Sequence, residues 1–155
     1  MNIKESRDAN LLAKLNEPIH KLHYDIAPDL FKPYDVNSIE KWFKEELKKD
    51  NTYCFIAYDD NEFPVGFLLA YELEEKEDVF QYKRSKMQIE QISILGAFQS
   101  KGYGSALIAR IEQLASEKGI REVEINYWST NIRGKFFYKC NGYEIYRETV
   151  KKRVI

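Results

Sequence analysis

Residues 99–105 read QSKGYGS, a Gln99-x-x-Gly102-x-Gly104 spacing set between two regular elements. Upstream, MQIEQISIL (87–95) has the composition of a strand; downstream, an amphipathic helix is predicted over 103–118, with Gly119 as its left-handed cap. Glycines at 102 and 104 remove the side chains that would hold a ligand away from the main chain. The first amides of the helix then point outward unpaired, at the positive end of its dipole. That arrangement suits a diphosphate, held by the loop residues Gln99, Ser100, Lys101, Gly102, Tyr103, Gly104 and Ser105. Two better-known phosphate loops fail on counting. From Gly96, Lys101 falls where a P-loop needs its second glycine, and Leu107 occupies the third small position of a dinucleotide fingerprint. A plain strand-to-helix turn is the simpler alternative.

Two other placements carry chemistry. Asn131 and Tyr138 are seven residues apart on a predicted helix, two turns and roughly 10 Å, so they share a face with Lys135 between them. A phenol there can donate a proton, whereas Phe136, Phe137 and Tyr143 are the better candidates for the core. Glu90 shares a face with Ile92 and Ile94 on a regular strand. Partly apolar surroundings would raise its pKa toward the range of a general base, and an ordinary anchoring carboxylate is the alternative. His20 and His23 read as surface or packing residues, EEKED at 74–78 as a solvated charge run, and Cys54 and Cys140 as small hydrophobes.

The elements that position these groups follow from periodicity. NIKES opens as a short strand. Apolar residues at 11, 12, 15, 19 and 22 predict a helix over 8–24, broken or kinked at Pro18. Asn37 or Ser38 caps a second helix through Lys48, with Ile39, Trp42, Phe43 and Leu47 on its buried stripe. Strands are expected at 52–59, 64–74, 87–95 and 121–128. A helix from Thr130 or Asn131 to Cys140 and a closing strand over 143–155 complete a β-αα-βββ-α-β-α-β order, a mixed α/β layer fold.

The chain of 155 residues has 24 basic and 25 acidic side chains and a net charge of −1, so no global field draws it to nucleic acid or to a membrane. No repeat or linker marks a boundary, and a single domain over 1–155 is expected. The absence of a signal segment and of a disulfide framework points to a cytoplasmic protein.

The run ISILGAFQSKGYGSALI, followed by a strand and then N131-IRGKF-F137-Y138-KCN-G142-Y143, resembles the GNAT superfamily of acetyl-CoA-dependent N-acetyltransferases. Their signature is [RQ]-x-x-G-x-[GA] before one helix and N-x-x-A-x-x-x-Y-x-x-x-G-[FY] on the last. The likeness is specific over 87–143 and looser before it; Gly134 stands where alanine is usual, and LGAF replaces an acidic-proline turn. The resemblance implies the GNAT fold with a splayed mixed sheet. It also implies acetyl-CoA as co-substrate without a metal, and direct attack by a small-molecule or peptide amine through a tetrahedral intermediate.

The same resemblance places the pantetheine arm between strands 87–95 and 122–128, pairing with the backbone of Ile92, Ser93 and Ile94. Asn131 would hold its amides, Tyr138 would protonate the leaving thiolate, and Glu90 would serve as base. Lys101, Arg133 and Lys139 are candidates for its phosphates. Members are often dimers, so a homodimer is an option. The other reading is a coenzyme A-binding sensor or structural module without catalysis. Which amine accepts the acetyl group is set by pocket shape, not by any motif.

Overall fold

The computed structural model describes residues 1–155. Its elements are β1 (Asn2–Glu5), α1 (Ala9–Leu15), α2 (Glu17–Ile26), α3 (Val36–Glu46), β2 (Thr52–Tyr58), β3 (Pro64–Glu75), β4 (Arg84–Ile94), α4 (Tyr103–Glu117), β5 (Val123–Ile125) and α5 (Ile132–Cys140). The expected helix over 8–24 is two helices. Asp8 caps α1 by accepting from the Leu11 amide, α1 stops at Asn16, and Pro18 falls in the first turn of α2, where its missing N–H costs nothing. Asp35, not Asn37 or Ser38, caps α3, its carboxylate accepting from the Ser38 amide. Trp42 is not on the buried stripe: it is 39% exposed and packs edge-on to the buried Phe43.

The sheet runs β1-β2-β3-β4-β5, antiparallel except for the parallel β4–β5 pair that the α4 crossover joins. Period-two alternation splits its side chains between two cores. Phe55, Leu68, Met87 and Ile89 pack under Leu107, Ile108 and Ile111 of α4. Cys54, Ile56, Phe67 and Leu69 pack under Leu12 and Leu15 of α1 and Phe43 of α3.

One irregularity organises the site. Leu69 opposes Gln91 but Ala70 opposes Ile89, so Glu90 is the unopposed residue of a β-bulge in β4. The bulge shifts side-chain parity. Met87 and Ile89 face α4, and after the extra residue so do Ile92 and Ile94, while Ser93 points at α1. Glu90 therefore does not continue the face of Ile92 and Ile94, contrary to regular alternation.

Below the bulge, β5 pairs with β4 only from Met87 to Ile89. Beyond it the two strands separate, and the β5-side edge of β4 from Glu90 to Ile94 has no strand partner. The closing strand is absent: residues 143–155 adopt no strand, and no backbone group from Glu144 onward bonds to another backbone group. The neighbouring strand β5 spans only three residues and meets this segment through a side chain, Tyr146 to Glu124.

The α1–α2 junction is pinned to β4 just past the bulge. Ser93 Oγ donates to the Leu15 carbonyl at 2.8 Å, and Asn16 Nδ2 donates to Gln91 Oε1 at 2.7 Å. Both Ser93 and Asn16 are buried. Ser93→Ala leaves that carbonyl without its partner and is expected to cost about 1–2 kcal/mol in denaturant unfolding. An unchanged midpoint would show that the junction is held by packing alone.

Candidate active site

At the end of β4 the chain makes a 3₁₀ turn over Gly96–Phe98, and Gln99 Nε2 donates back to the Ile94 carbonyl at 2.9 Å. The Gln99 side chain thus ties the turn to the strand. Ser100 and Gly102 follow with φ of 61° and 88°, the left-handed region where glycine is the least strained residue. Gly102 is the N-cap of α4 and supplies no side-chain hydrogen bond, and the first turn carries no acid. The amides of Tyr103, Gly104 and Ser105 therefore open the helix uncapped, with the positive end of its dipole behind them.

Around that turn, Ser100 Oγ accepts from Arg133 of α5 at 3.2 Å, and the Lys101 ammonium lies 5.2 Å from the Phe98 ring centre. Ser105 is exposed, whereas the Tyr103 side chain is buried edge-on to Phe98. Only the main chain of Tyr103 is left to face a ligand. Gly104 is also closely packed: a Cβ there would stand 3.0 and 3.1 Å from the Phe137 ring of α5, tight enough that the ring would have to shift.

Where β4 and β5 part, a cavity of about 30 Å³ opens. Glu90, Gln91 and Ile92 of β4 line it, with Ile19 and His23 of α2 and Asn131 and Tyr138 of α5; Tyr127 and Trp128 follow β5 into it. The Asn131–Tyr138 face and Glu90, distant in sequence, meet here.

Tyr138 is the buried residue of α5, at 8% exposure, while Phe136 is 70% exposed and Phe137 and Tyr143 are half-buried. The core assignment of Phe136 is thus corrected: it lies on the outer face of the helix. The Tyr138 ring stacks on Tyr127 at 5.4 Å and meets Tyr143 edge-on at 6.1 Å. Burial, with Tyr127 adding, raises the Tyr138 pKa well above the ordinary phenol range, so the hydroxyl keeps its proton at neutral pH.

Asn131 is the N-cap of α5. Its Oδ1 accepts from the Gly134 amide at 2.9 Å, which leaves Nδ2 as the donor. A Cβ at Gly134 would fall 2.6 Å from Nδ2, so the glycine makes room for the folded-back amide as well as loosening the helix. Glu90 is exposed on the surface side, yet neighbouring protein desolvates its carboxylate enough to raise the pKa, and the Glu46 charge adds to the rise. Glu46 in turn accepts from the Tyr71 hydroxyl at 2.7 Å. His23, tilted against Phe31 at 5.1 Å, has its pKa lowered by burial and by His20, which favours the neutral ring.

Tyr127, Trp128 and Asn16 did not stand out in the sequence. The YW pair at 127–128, three residues before Asn131, was the available signal for the first two. Asn16 announces itself only by the helix break that Pro18 marks. No cluster of three or more His, Cys, Asp or Glu side chains is placed to hold a metal ion, and no helix is long and apolar enough to cross a membrane.

The family model for the acetyltransferase (GNAT) family matches residues 16–143, and the chain belongs to that family. No curated protein sequence matches it. Among solved structures, a tetramutant of the BH1408 protein from Bacillus halodurans superposes with a TM-score of 0.93 at 17% identity, over 99% of this chain and 100% of that one. Two aminoglycoside 6′-N-acetyltransferases also share the fold. AAC(6′)-Iy, in complex with the bisubstrate analogue CoA-S-monomethyl-acetylneamine, gives 0.72 at 20% identity over 98% and 96% of the chains. AAC(6′)-Ih from Acinetobacter baumannii gives 0.73 at 17% identity over 99% and 98%.

Proposed function

We propose that this chain transfers the acetyl group of acetyl-CoA to the amine of a small molecule or peptide. The observation that carries the reading is the order of three features along one stretch of chain. The unpaired edge of β4 from Glu90 to Ile94 leads from the cavity holding Tyr138 to the uncapped amides of α4. The residues fit an extended ligand with a diphosphate at one end. The main chains of Ile92 and Ile94 turn to the unpaired edge and offer groups to its amides, Ser93 between them pairing with β3, and Asn131 Nδ2 offers one more donor. Gly102, Tyr103, Gly104 and Ser105 offer backbone N–H to the diphosphate, while Ser100 and Lys101 flank it and Gln99 holds the turn in shape. AAC(6′)-Iy binds a coenzyme A conjugate of an aminoglycoside on the same fold, which supports an amine acceptor here.

When bound, acetyl-CoA supplies an activated thioester. The chain's own groups then position and move protons. A backbone N–H of β4, at Ile94 or beside it, polarises the carbonyl, a role that main-chain donors fill well. Tyr138 holds a proton for the departing sulfur, and Glu90, with its raised pKa, takes one from the incoming ammonium.

The direct test is a panel of polyamines, amino acids, aminoglycosides and peptides assayed for thiol release with acetyl-CoA, beside calorimetric titration with coenzyme A. Turnover of one class supports the reading. Tight binding without turnover of any amine assigns the chain to a sensing or structural role, and no binding removes both.

Glu90→Gln is expected to lower kcat/KM and to remove the acidic limb of its pH profile; retention of both returns Glu90 to an anchoring role. The same variant has a stability signature. A carboxyl whose pKa is raised on folding is held more tightly in the folded state, so stability falls as pH rises from the ordinary carboxylate value through the raised one. Glu90→Gln should therefore melt higher than the wild type at neutral pH, with the gain vanishing in acid.

A further inference from the structure

Three features of the cavity beside Tyr138 narrow the choice of acceptor, given the acetyl transfer proposed above. The first is charge. Of the side chains that line the cavity, Glu90 alone is charged, since burial favours the neutral ring of His23. Glu46, whose charge Glu90 feels, is already occupied: it accepts from Lys49 Nζ and from the Tyr71 hydroxyl, each at 2.7 Å. One cation is matched here, and the several cations of a polyamine or an aminoglycoside are not. A carboxylate on the acceptor would meet Glu90 with no cation to offset it.

The second feature is a free donor. The bulge gives the cavity two successive side chains, Glu90 and Gln91, where regular alternation would give one. Gln91 opposes Leu69, so it faces α1 and the α1–α2 junction. There its Oε1 accepts from the buried Asn16 Nδ2 at 2.7 Å, which fixes the rotation of the amide and leaves Nε2 as a donor with no partner in the protein. A carboxylate and an amide donor, side by side, suit an ammonium and an oxygen one carbon away from each other.

The third is an apolar rim. His23 and Trp128 line the cavity, and Phe31 lies against both, with its ring 5.1 Å from that of His23 and 5.8 Å, edge-on, from that of Trp128. A volume of about 30 Å³ takes an amine and the atoms beside it, so the rest of the acceptor leaves across these rings.

We infer that the acceptor is an α-amino carboxamide with an apolar or aromatic side chain, its nitrogen at Glu90, its carbonyl oxygen at Gln91 Nε2 and its side chain on Phe31, His23 and Trp128. An amino acid amide and a peptide N-terminus share this chemistry. The nitrogen bonds to the acetyl carbon as the carbon–sulfur bond breaks; its proton passes to Glu90, and the sulfur takes one from Tyr138. The basicity of such an amine agrees. Beside a carbonyl, about a tenth of α-amino groups are already uncharged at pH 7, against fewer than about one in a thousand alkylammonium ions, so the exposed Glu90 need be only a modest base.

The test measures thiol release from acetyl-CoA with six amines: phenylalaninamide, a tripeptide beginning with phenylalanine, phenylalanine itself, phenethylamine, spermidine and kanamycin. One of the first two is expected to exceed each of the other four in kcat/KM by about tenfold or more, and which one leads tells a free amide from a peptide terminus. Gln91→Leu should lower the ratio of kcat/KM for phenylalaninamide to that for phenethylamine about tenfold, the worth of one hydrogen bond. Gln91→Glu still accepts from Asn16 and so keeps the junction, but it turns a second charge toward the acceptor and should move the preference to spermidine. A ratio unmoved in both variants overturns the inference. So does a lead for any of the last four amines in the unaltered chain, an outcome that leaves acetyl transfer itself standing. Thiol release with none of the six, nor with the wider panel above, removes the transfer reading as well.

Discussion

Tyr138→Phe is expected to lower kcat and kcat/KM together by about 10²-fold and to leave KM unchanged, the low end of what general acid assistance supplies. The substitution keeps the ring between Tyr127 and Tyr143 and deletes only the hydroxyl of a residue that lines the cavity. An interaction made as the carbon–sulfur bond breaks contributes little to binding the intact thioester, so the loss belongs to the rate. Coenzyme A thiol is a fair leaving group even unprotonated, which limits the effect. Steady-state kinetics on the best amine, with the melting temperature as control, decide the matter. A stable variant with wild-type kcat shows that the phenol only packs.

Gly104→Val is expected to weaken coenzyme A binding by well over tenfold, more than about 1.4 kcal/mol. Two effects combine. The new side chain crowds the first amides of α4, and its Cβ presses on the tip of the Phe137 ring, which must yield by a few tenths of an ångström. A second substitution separates them. Phe137→Leu in the Gly104→Val chain makes room for the Cβ, so any stability lost to the clash should return while coenzyme A affinity stays low. If affinity returns as well, the glycine serves helix packing and the turn holds no diphosphate.

How much of this was legible depended on whether the cause was local. The glycine turn, the α4 and α5 helices and the Asn131–Tyr138 spacing are set by residues adjacent in sequence, and they stand where periodicity placed them. The bulge at Glu90 is a tertiary event. MQIEQISIL alternates well enough to pass for a regular strand, and only its pairing with Leu69 and Ala70 shows the extra residue. Trp42 and Phe136 misled for a similar reason, because size and apolarity suggest burial while each helix offers its neighbours only one face. The closing strand has the composition of a strand, but a strand exists only where another chain segment lies at pairing distance. Proline 18 was legible as a break, though not as the start of a new helix. Gly134 looked like a helix weakness and is in addition the space that the Asn131 amide occupies.

The two cores described above lie on opposite faces of one sheet and share no buried side chain. The α4 face carries the glycine turn and is tied to it by Tyr103, Leu107 and Phe137, so drift there is transmitted to the turn. The α1–α3 face turns toward Glu90 and Ser93 of β4, and α2, which adds no side chain to that core, lends Ile19 and His23 to the cavity wall. Repacking Leu12, Leu15, Phe43 or Phe67 therefore reaches Glu90 and the Ser93 tie to Leu15, and leaves the glycine turn on the reverse of the sheet untouched. A directed-evolution library at Ile19 and His23 would alter the cavity wall itself while sparing both cores.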